Sequence, residues 1–309
     1  MTQKPLRELL TELTKANTSL HLGAFFLLRS YLEGSMEKLK AKRSALEFTC
    51  LKLKRMVQEG NVRWPKIPSL PRGWKVEEVK AKLVTRGIAG VQVPPWTAIF
   101  DVGMFWDPLY QLPYYPGSTV KGAVHGLFFE PALVMDAVRE ALGKDVDEVR
   151  ALAKAVVLLG VSDWEMDVEK VVKGVDLDKL KESVKKELEE RGINLAPNEG
   201  GWSGFVAFFD AYPEGPGNDG WLLVPEIITP HYTEAVEEGE IRFAEHKAKP
   251  VPVTFLVVER GTTFAFPIAG RNDEDLKIAK SLLKKALTEV GIGAKTTSGY
   301  NLFKALQGY

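Results

Sequence analysis

Residues 276–306 read L-K-I-A-K-S-L-L-K-K-A-L-T-E-V-G-I-G-A-K-T-T-S-G-Y-N-L-F-K-A-L. Apolar residues recur at Leu276, Ala279, Leu282, Leu283, Ala286, Leu287 and Val290. That spacing lines them along one face of an α-helix and leaves the lysines on the others. Gly291 reads as the helix C-cap. A glycine-rich loop runs from Gly291 to Gly299, and Tyr300 to Leu306 reads as a closing strand. A helix with one apolar face that hands its chain back to a strand is half of a helix-on-sheet layer.

Upstream segments supply the rest of that layer. Val251 to Ile268 reads as two strands around Arg260-Gly261-Thr262, a hairpin pattern. Phe205 to Tyr212 reads as one buried strand, and Val76 to Val84 as another with near-alternation at Val79, Ala81 and Leu83. Between them lies an apolar helix with Val120, Val124, Leu127 and Phe128 inward and Ser118 placed as its N-cap. The order is β-α-β-β-α-β, which predicts an α+β protein with a ferredoxin-like (RRM-like) core. Added helices are expected at about residues 132–200, around Leu152, Ala155, Val156 and Leu159, then around Leu177, Leu180, Val184 and Leu188. Residues 6–59 read as helices, and residues 61–75 as a linker with Pro65, Pro68 and Pro71. The expected division is a basic helical extension and linker at 1–75 and the ferredoxin-like domain with its insertion at 76–309.

The chain has 309 residues, 45% hydrophobic and 27% charged, the balance of a soluble globular protein. The apolar run Leu20 to Leu28 is too short to span a bilayer, which takes about 20 residues. No signal-peptide pattern opens the sequence, so a cytoplasmic location is expected. A single cysteine, Cys50, excludes an intrachain disulfide framework and a cysteine-built zinc site. The zero net charge conceals an asymmetry. Residues 1–90 carry 18 Lys/Arg against 8 Asp/Glu, residues 130–240 carry 11 against 25, and residues 241–309 carry 11 against 6. Fields act locally, so the basic ends suit a polyanion even in a neutral chain.

Two motifs carry binding chemistry. In the glycine loop, Gly291, Gly293 and Gly299 permit close backbone approach, while Lys295, Thr296, Thr297 and Ser298 offer a cation and hydroxyls. This set can cradle a nucleic-acid backbone. It is not a Walker loop, because the spacing differs and the loop leads from helix to strand. In Pro116-Gly-Ser-Thr-Val-Lys-Gly122, Ser118 and Thr119 sit at a helix N-terminus and Lys121 one turn in. The histidines are His21, His125, His231 and His246, with no zincin spacing. His231 beside Tyr232 reads as a packed structural histidine, with general base as the rival reading. Asp101, Asp107 and Asp210 lie near expected strand ends; Asp107 before Pro108 reads as a turn residue. Trp96, Phe100, Phe105, Trp106, Tyr110, Tyr114 and Tyr115 are read mainly as core and partner contacts, with stacking on bases as the alternative. No metal or cofactor is expected.

Pro116-Gly-Ser-Thr-Val-Lys-Gly122 resembles the P-G-S-S-L-K-G segment of the RAMP proteins of CRISPR effector complexes. Gly291 to Tyr300 resembles their C-terminal G-x-G-x-K-T-S-x-G-Y-G loop, with Asn301 in place of a common glycine; after the first segment, His125 stands where arginine is often seen. Phe208 to Tyr212, Ile227 to Tyr232, Pro250 to Phe255 and Gly261 to Phe264 resemble the sixth-subunit family of type III-B (Cmr) complexes. The resemblance implies a non-catalytic, RNA-binding antiviral subunit. Its partners would be guide RNA, target RNA and other subunits of the complex, with RNA held near the 3′ part of the guide. Backbone and shape would be recognised by the protein and sequence by base pairing, a division of labour seen in another guided effector. An endoribonuclease of the same superfamily and a protein adaptor with little RNA contact are the rival readings.

Overall fold

The computed structural model describes residues 38–67, 69–91, 102–143, 145–229, 236–237, 240–241 and 252–306. The expected helices before residue 38 lie outside them, as do Trp96, Phe100, Asp101, His231 and His246. The chain divides into two compact units. The first takes in residues 1–64, 88–113 and 215–262; the second takes in 65–87, 114–214 and 263–309.

In the first unit, helix α1 (Lys38–Gln58) buries Leu46, Cys50 and Leu53. Lys54 on this helix sets its ammonium 4.0 Å above the Trp221 ring. The hairpin β2 (Trp106–Asp107) and β3 (Leu112–Pro113) is closed by Asp107, whose carboxylate accepts from the Leu109 and Tyr110 amides. That confirms the turn role read for Asp107.

The second unit carries the sheet. Strand β1 (Lys75–Leu83) is followed by α2 (Gly117–His125), then α3 (Pro131–Leu142), α4 (Glu148–Leu159), β4 (Gly160–Val161) and α5 (Leu177–Glu190). Next come β5 (Trp202–Ser203), β6 (Val206–Phe208) and β7 (Tyr212–Pro213). In the first unit again, β8 (Leu223–Ile228) pairs antiparallel with β11 (Val253–Val258), and the short strands β9 (Val236–Glu237) and β10 (Glu240–Ile241) pair with each other. The second unit closes with β12 (Thr263–Gly270), α6 (Asp273–Lys285) and β13 (Phe303–Ala305). Its sheet has the order β13-β1-β12-β6, every neighbouring pair antiparallel, with β7 also on β12. For the four-strand path of this sheet and the two helices packed on it, the chain order is β1, α2, β6, β12, α6, β13: strand, helix, strand, strand, helix, strand.

Alternation along the strands sets the core. Val79, Ala81 and Leu83 of β1 face the same side as Phe264, Phe266 and Ile268 of β12 and Phe303 of β13, all buried. Leu276, Ala279, Leu282 and Leu283 of α6 and Val120 and Val124 of α2 are buried against them. Asn272 caps α6 by accepting from the Glu274 amide at 2.9 Å. The helix continues through a π-helical turn, Ala286–Val290, which carries the apolar stripe as far as the sequence pattern extends it.

Two expectations need correction. The described part of the stretch 251–268 does hold two strands, but they do not pair as a hairpin: β11 pairs with β8, while β12 pairs with β1 and β6. The segment Phe205 to Tyr212 is not one strand. Opposite Phe209 stands Pro267, which has no N–H to return to the ladder, and the register slips by one residue between Ile268↔Phe208 and Ala265↔Tyr212. The result is a bulge that frees Asp210 from strand pairing.

The insertion is tied to the core by charge. The Arg191 guanidinium holds Asp275 of α6 with two bonds, 2.9 and 2.6 Å, over the Phe205 ring at 4.3 Å. Donating to the Asp275 carboxylate raises the Arg191 pKa above its ordinary value. Buried Glu187 takes bonds from Arg150 and Lys154, and Lys154 reaches on to Glu274. Among the described residues no helix is long and apolar enough to cross a membrane. Arg191→Ala leaves the Asp275 carboxylate buried without its partner and is expected to cost about 3 kcal/mol in chemical denaturation. A loss under about 1 kcal/mol contradicts this role, being the worth of an exposed pair.

Candidate nucleic-acid interface

Helix α2 begins where the bulge lets it. Its N-cap is Pro116, not Ser118, and Pro116 has no side chain to accept a bond. The missing acceptor comes from Asp210, which takes the Gly117 amide at 2.8 Å. Asp210 thus serves as a helix cap supplied by the bulged strand. Gly117 is required by closeness: a Cβ there would collide with the Phe208 carbonyl. Ser118 moves inside the helix and is exposed; Thr119 and Lys121 are half-buried.

The outward side of α2 lines a groove of about 940 Å³. Ser118, Lys121 and His125 face it from α2, and Ser162 and Asp167 from the far wall. Burial and the Lys121 charge push the His125 pKa down against the opposing pull of Asp167 and the Leu159 backbone, so the imidazole is neutral at pH 7. Burial pushes the Asp167 carboxyl up, but bonds from the Ser162 hydroxyl and the Ser162 and Asp163 amides outweigh it and hold it below the usual carboxylate value. Lys121 is therefore the cation of this groove at neutral pH among its described lining residues.

The glycine loop is shaped by left-handed backbone. Gly291 has φ +83°, and a Cβ there would lie 2.7 Å from the Asn301 carbonyl oxygen. Lys295 itself adopts φ +59°, and opens a short turn over Thr296–Ser298 that ends on Gly299 at φ +85°. Ile292 is buried beneath the loop, whereas Thr297, Ser298 and Gly299 are exposed and Gly293, Lys295 and Thr296 half-buried.

Asn301 holds this shape. At φ +60° it occupies a left-handed conformation that asparagine tolerates far better than most residues, which explains how it stands where glycine is common. Its side-chain amide donates to the Ala294 carbonyl at 2.6 Å, and its backbone N–H donates to the Arg86 carbonyl at 2.9 Å. Its side-chain oxygen accepts from the hydroxyl of Tyr115 at 2.7 Å. Tyr115 is fully buried among Phe264, Phe266 and Phe303, and burial pushes its phenol pKa up, so the hydroxyl stays a donor. Tyr115 immediately precedes the Pro116–Gly122 motif. One buried hydrogen bond thus ties the start of α2 to the end of the glycine loop.

Sequence reasoning missed Tyr115, Asn301 and Asp210 as the parts that position the two motifs. The polar residue next to a glycine loop, at a place where glycine is common, was the available signal for Asn301. Among the other described aromatics, Trp106 is buried and Tyr114 stacks on Tyr212 at 5.4 Å. Among the described residues no group of three or more His, Cys, Asp or Glu is arranged to hold a metal ion. Tyr115→Phe removes the donor to Asn301 and is expected to cost about 1–2 kcal/mol. It should also speed amide exchange in residues 292–300 more than elsewhere. Unchanged stability and exchange would show that the loop is held without it.

The sequence pattern of the RAMP superfamily matches residues 98–304, more than half of the chain. The chain is 26% identical over 220 residues to the CRISPR system CMR subunit Cmr6 of Saccharolobus solfataricus, covering 71% of this chain and 54% of that one. It is 37% identical over 100 residues to the CRISPR system Cmr subunit Cmr6 of Pyrococcus furiosus, covering 31% of this chain and 29% of that one. It thus spans about half or less of the curated relatives it matches. A chain of the cryo-EM structure of the type III-B Cmr-beta bound to cognate target RNA shares its fold, with a TM-score of 0.54, 21% identity and coverage of 99% and 98%. Taken with the two motifs and the strand order that joins them, the match establishes that this chain belongs to the RAMP superfamily.

Proposed function

We propose that this chain is a non-catalytic, RNA-binding subunit of a type III-B CRISPR antiviral effector complex. It holds guide RNA and the target paired to it, near the 3′ part of the guide, and its other partners are subunits of that complex. The observation that carries the reading is the Tyr115–Asn301 bond, which fixes both superfamily motifs at one end of a single sheet. The superfamily match and the likeness to Cmr6 proteins support the assignment. We read the core as ferredoxin-like, spanning residues 76–309 with its insertion, preceded by a basic extension at 1–75, and the protein as cytoplasmic.

Phosphates are held by Ser118, Thr119 and Lys121 on α2 and by Gly291, Gly293, Lys295, Thr296, Thr297, Ser298 and Gly299 in the loop. Lys295 supplies charge while the exposed hydroxyls of Thr297 and Ser298 supply donors, a set suited to backbone and blind to base identity. Two of the three carboxylates weighed for an endoribonuclease reading have structural work, since Asp107 closes a turn and Asp210 caps α2, while Asp101 lies outside the described residues. Holding phosphate equally in ground and transition states does not accelerate cleavage.

Lys121→Ala and Lys295→Ala are each expected to weaken single-stranded RNA of unrelated sequences alike. Each should reduce the salt slope of binding by about 0.7 to 1. Equal affinity and slope for variant and parent would remove that lysine from the interface. The purified chain is also expected to leave guide-paired RNA intact with or without magnesium or manganese. Cleavage that survives repurification and vanishes in His231→Ala or Asp210→Asn would move the protein to the endoribonuclease reading.

A further inference from the structure

The face of the sheet turned away from α2 and α6 carries Glu78, Lys80 and Lys82 along β1, since Val79, Ala81 and Leu83 are buried on the other side. Lys80 is neutralised there, with Glu214 at 2.8 Å and Glu78 at 3.4 Å. Lys82 is treated differently. Its partner across the β1–β13 ladder is Lys304, and both are exposed. Bonds from the Val84 amide to the Leu302 carbonyl and from the Leu306 amide to the Lys80 carbonyl flank the two residues. Lys82 and Lys304 are therefore a hydrogen-bonded antiparallel pair, with Cα atoms roughly 5.5 Å apart and side chains on one face. Neither side chain has an ion pair among the described residues.

Like charges placed directly opposite destabilise a sheet. A lone lysine on an edge strand is explained as protection against edge pairing, and that accounts for Lys304 on β13. It does not account for a second lysine facing it from the interior strand. An anion between the two ammonium groups would turn the repulsion into attraction. The pair also lies where the glycine loop ends: Lys304 is on the strand that follows Asn301, and Lys82 is near the C-terminal end of β1, just before Arg86, whose carbonyl holds the Asn301 amide. We propose that Lys82 and Lys304, exposed on the face of the sheet away from α2 and α6, form a further RNA-backbone contact, continuing the phosphate track that leaves the loop at Lys295. This rests on the RNA-binding reading. RNA is favoured over an acidic protein because the pair is continuous along the chain with the loop, and a strand of phosphates brings closely spaced charges to two adjacent cations.

The test uses the full chain and labelled single-stranded RNA of guide length, with filter binding from 50 to 200 mM salt. Lys82→Thr, Lys304→Thr and the double variant keep strand propensity while removing charge. The salt slope is expected to fall by about 0.7 per lysine, so the double variant's deficit shrinks roughly sevenfold between 50 and 200 mM salt. Without RNA, the melting temperature should hold or rise, because the repulsion is gone. Lys82→Arg with Lys304→Arg should keep the parental slope. Slopes unchanged in the threonine variants, while Lys121→Ala and Lys295→Ala still weaken binding, would overturn the inference and leave the RNA reading standing. A parent chain without RNA affinity would overturn both. Threonine variants that bind RNA normally yet fail to join the assembled complex would assign the pair to an acidic protein surface instead.

Discussion

The hydrogen bond from Tyr115 to Asn301 is the constraint on which the arrangement of the two motifs depends. It joins positions 186 residues apart in the chain, at the core of the second unit. One end stands directly before α2 and the other directly after the glycine loop. The bond survives because it is dry: Tyr115 is wrapped by three phenylalanines, and its phenol is held protonated by burial. A buried donor and acceptor are costly apart and cheap together, so the pair specifies the relative placement of two motifs that no local propensity would align.

Around that bond the sheet makes room for function by breaking its own regularity. Pro267 denies β6 its next ladder bond, the strand bulges, and the released Asp210 supplies the cap that Pro116 lacks. Asn301 and Lys295 take left-handed backbone, and Lys295 then heads a turn whose exposed residues are small and hydroxylated. The acidic insertion spends part of its charge inward, in Arg191–Asp275 and in the Arg150, Lys154, Glu187 and Glu274 group. Part of the uneven distribution along the sequence is therefore fold-stabilising pairing, not an external field.

The parts legible in the sequence were those written as period and composition. The stripe from Leu276 to Val290 named α6, alternation named β1, and glycine spacing marked the loop. The misreadings share one cause, which is that a partner distant in the chain overrode a local rule. Ser118 looked like an N-cap because serine caps helices, but the cap came from Asp210, more than ninety residues on. Phe205 to Tyr212 looked continuous because the proline that interrupts it sits on the neighbouring strand. Arg260-Gly261-Thr262 looked like a hairpin turn, yet the strands on either side of it pair with different partners.

The central claim is that RNA lies on the end of the sheet where α2 begins and the glycine loop closes. The most direct measurement is photocrosslinking of the full chain to RNA carrying 4-thiouridine, followed by mass spectrometry of the linked peptides. The account predicts crosslinks in residues 116–126 and 291–304, independent of the base sequence around the probe. Crosslinks confined to the acidic helix Leu177–Glu190, with none in either of those segments, would contradict it.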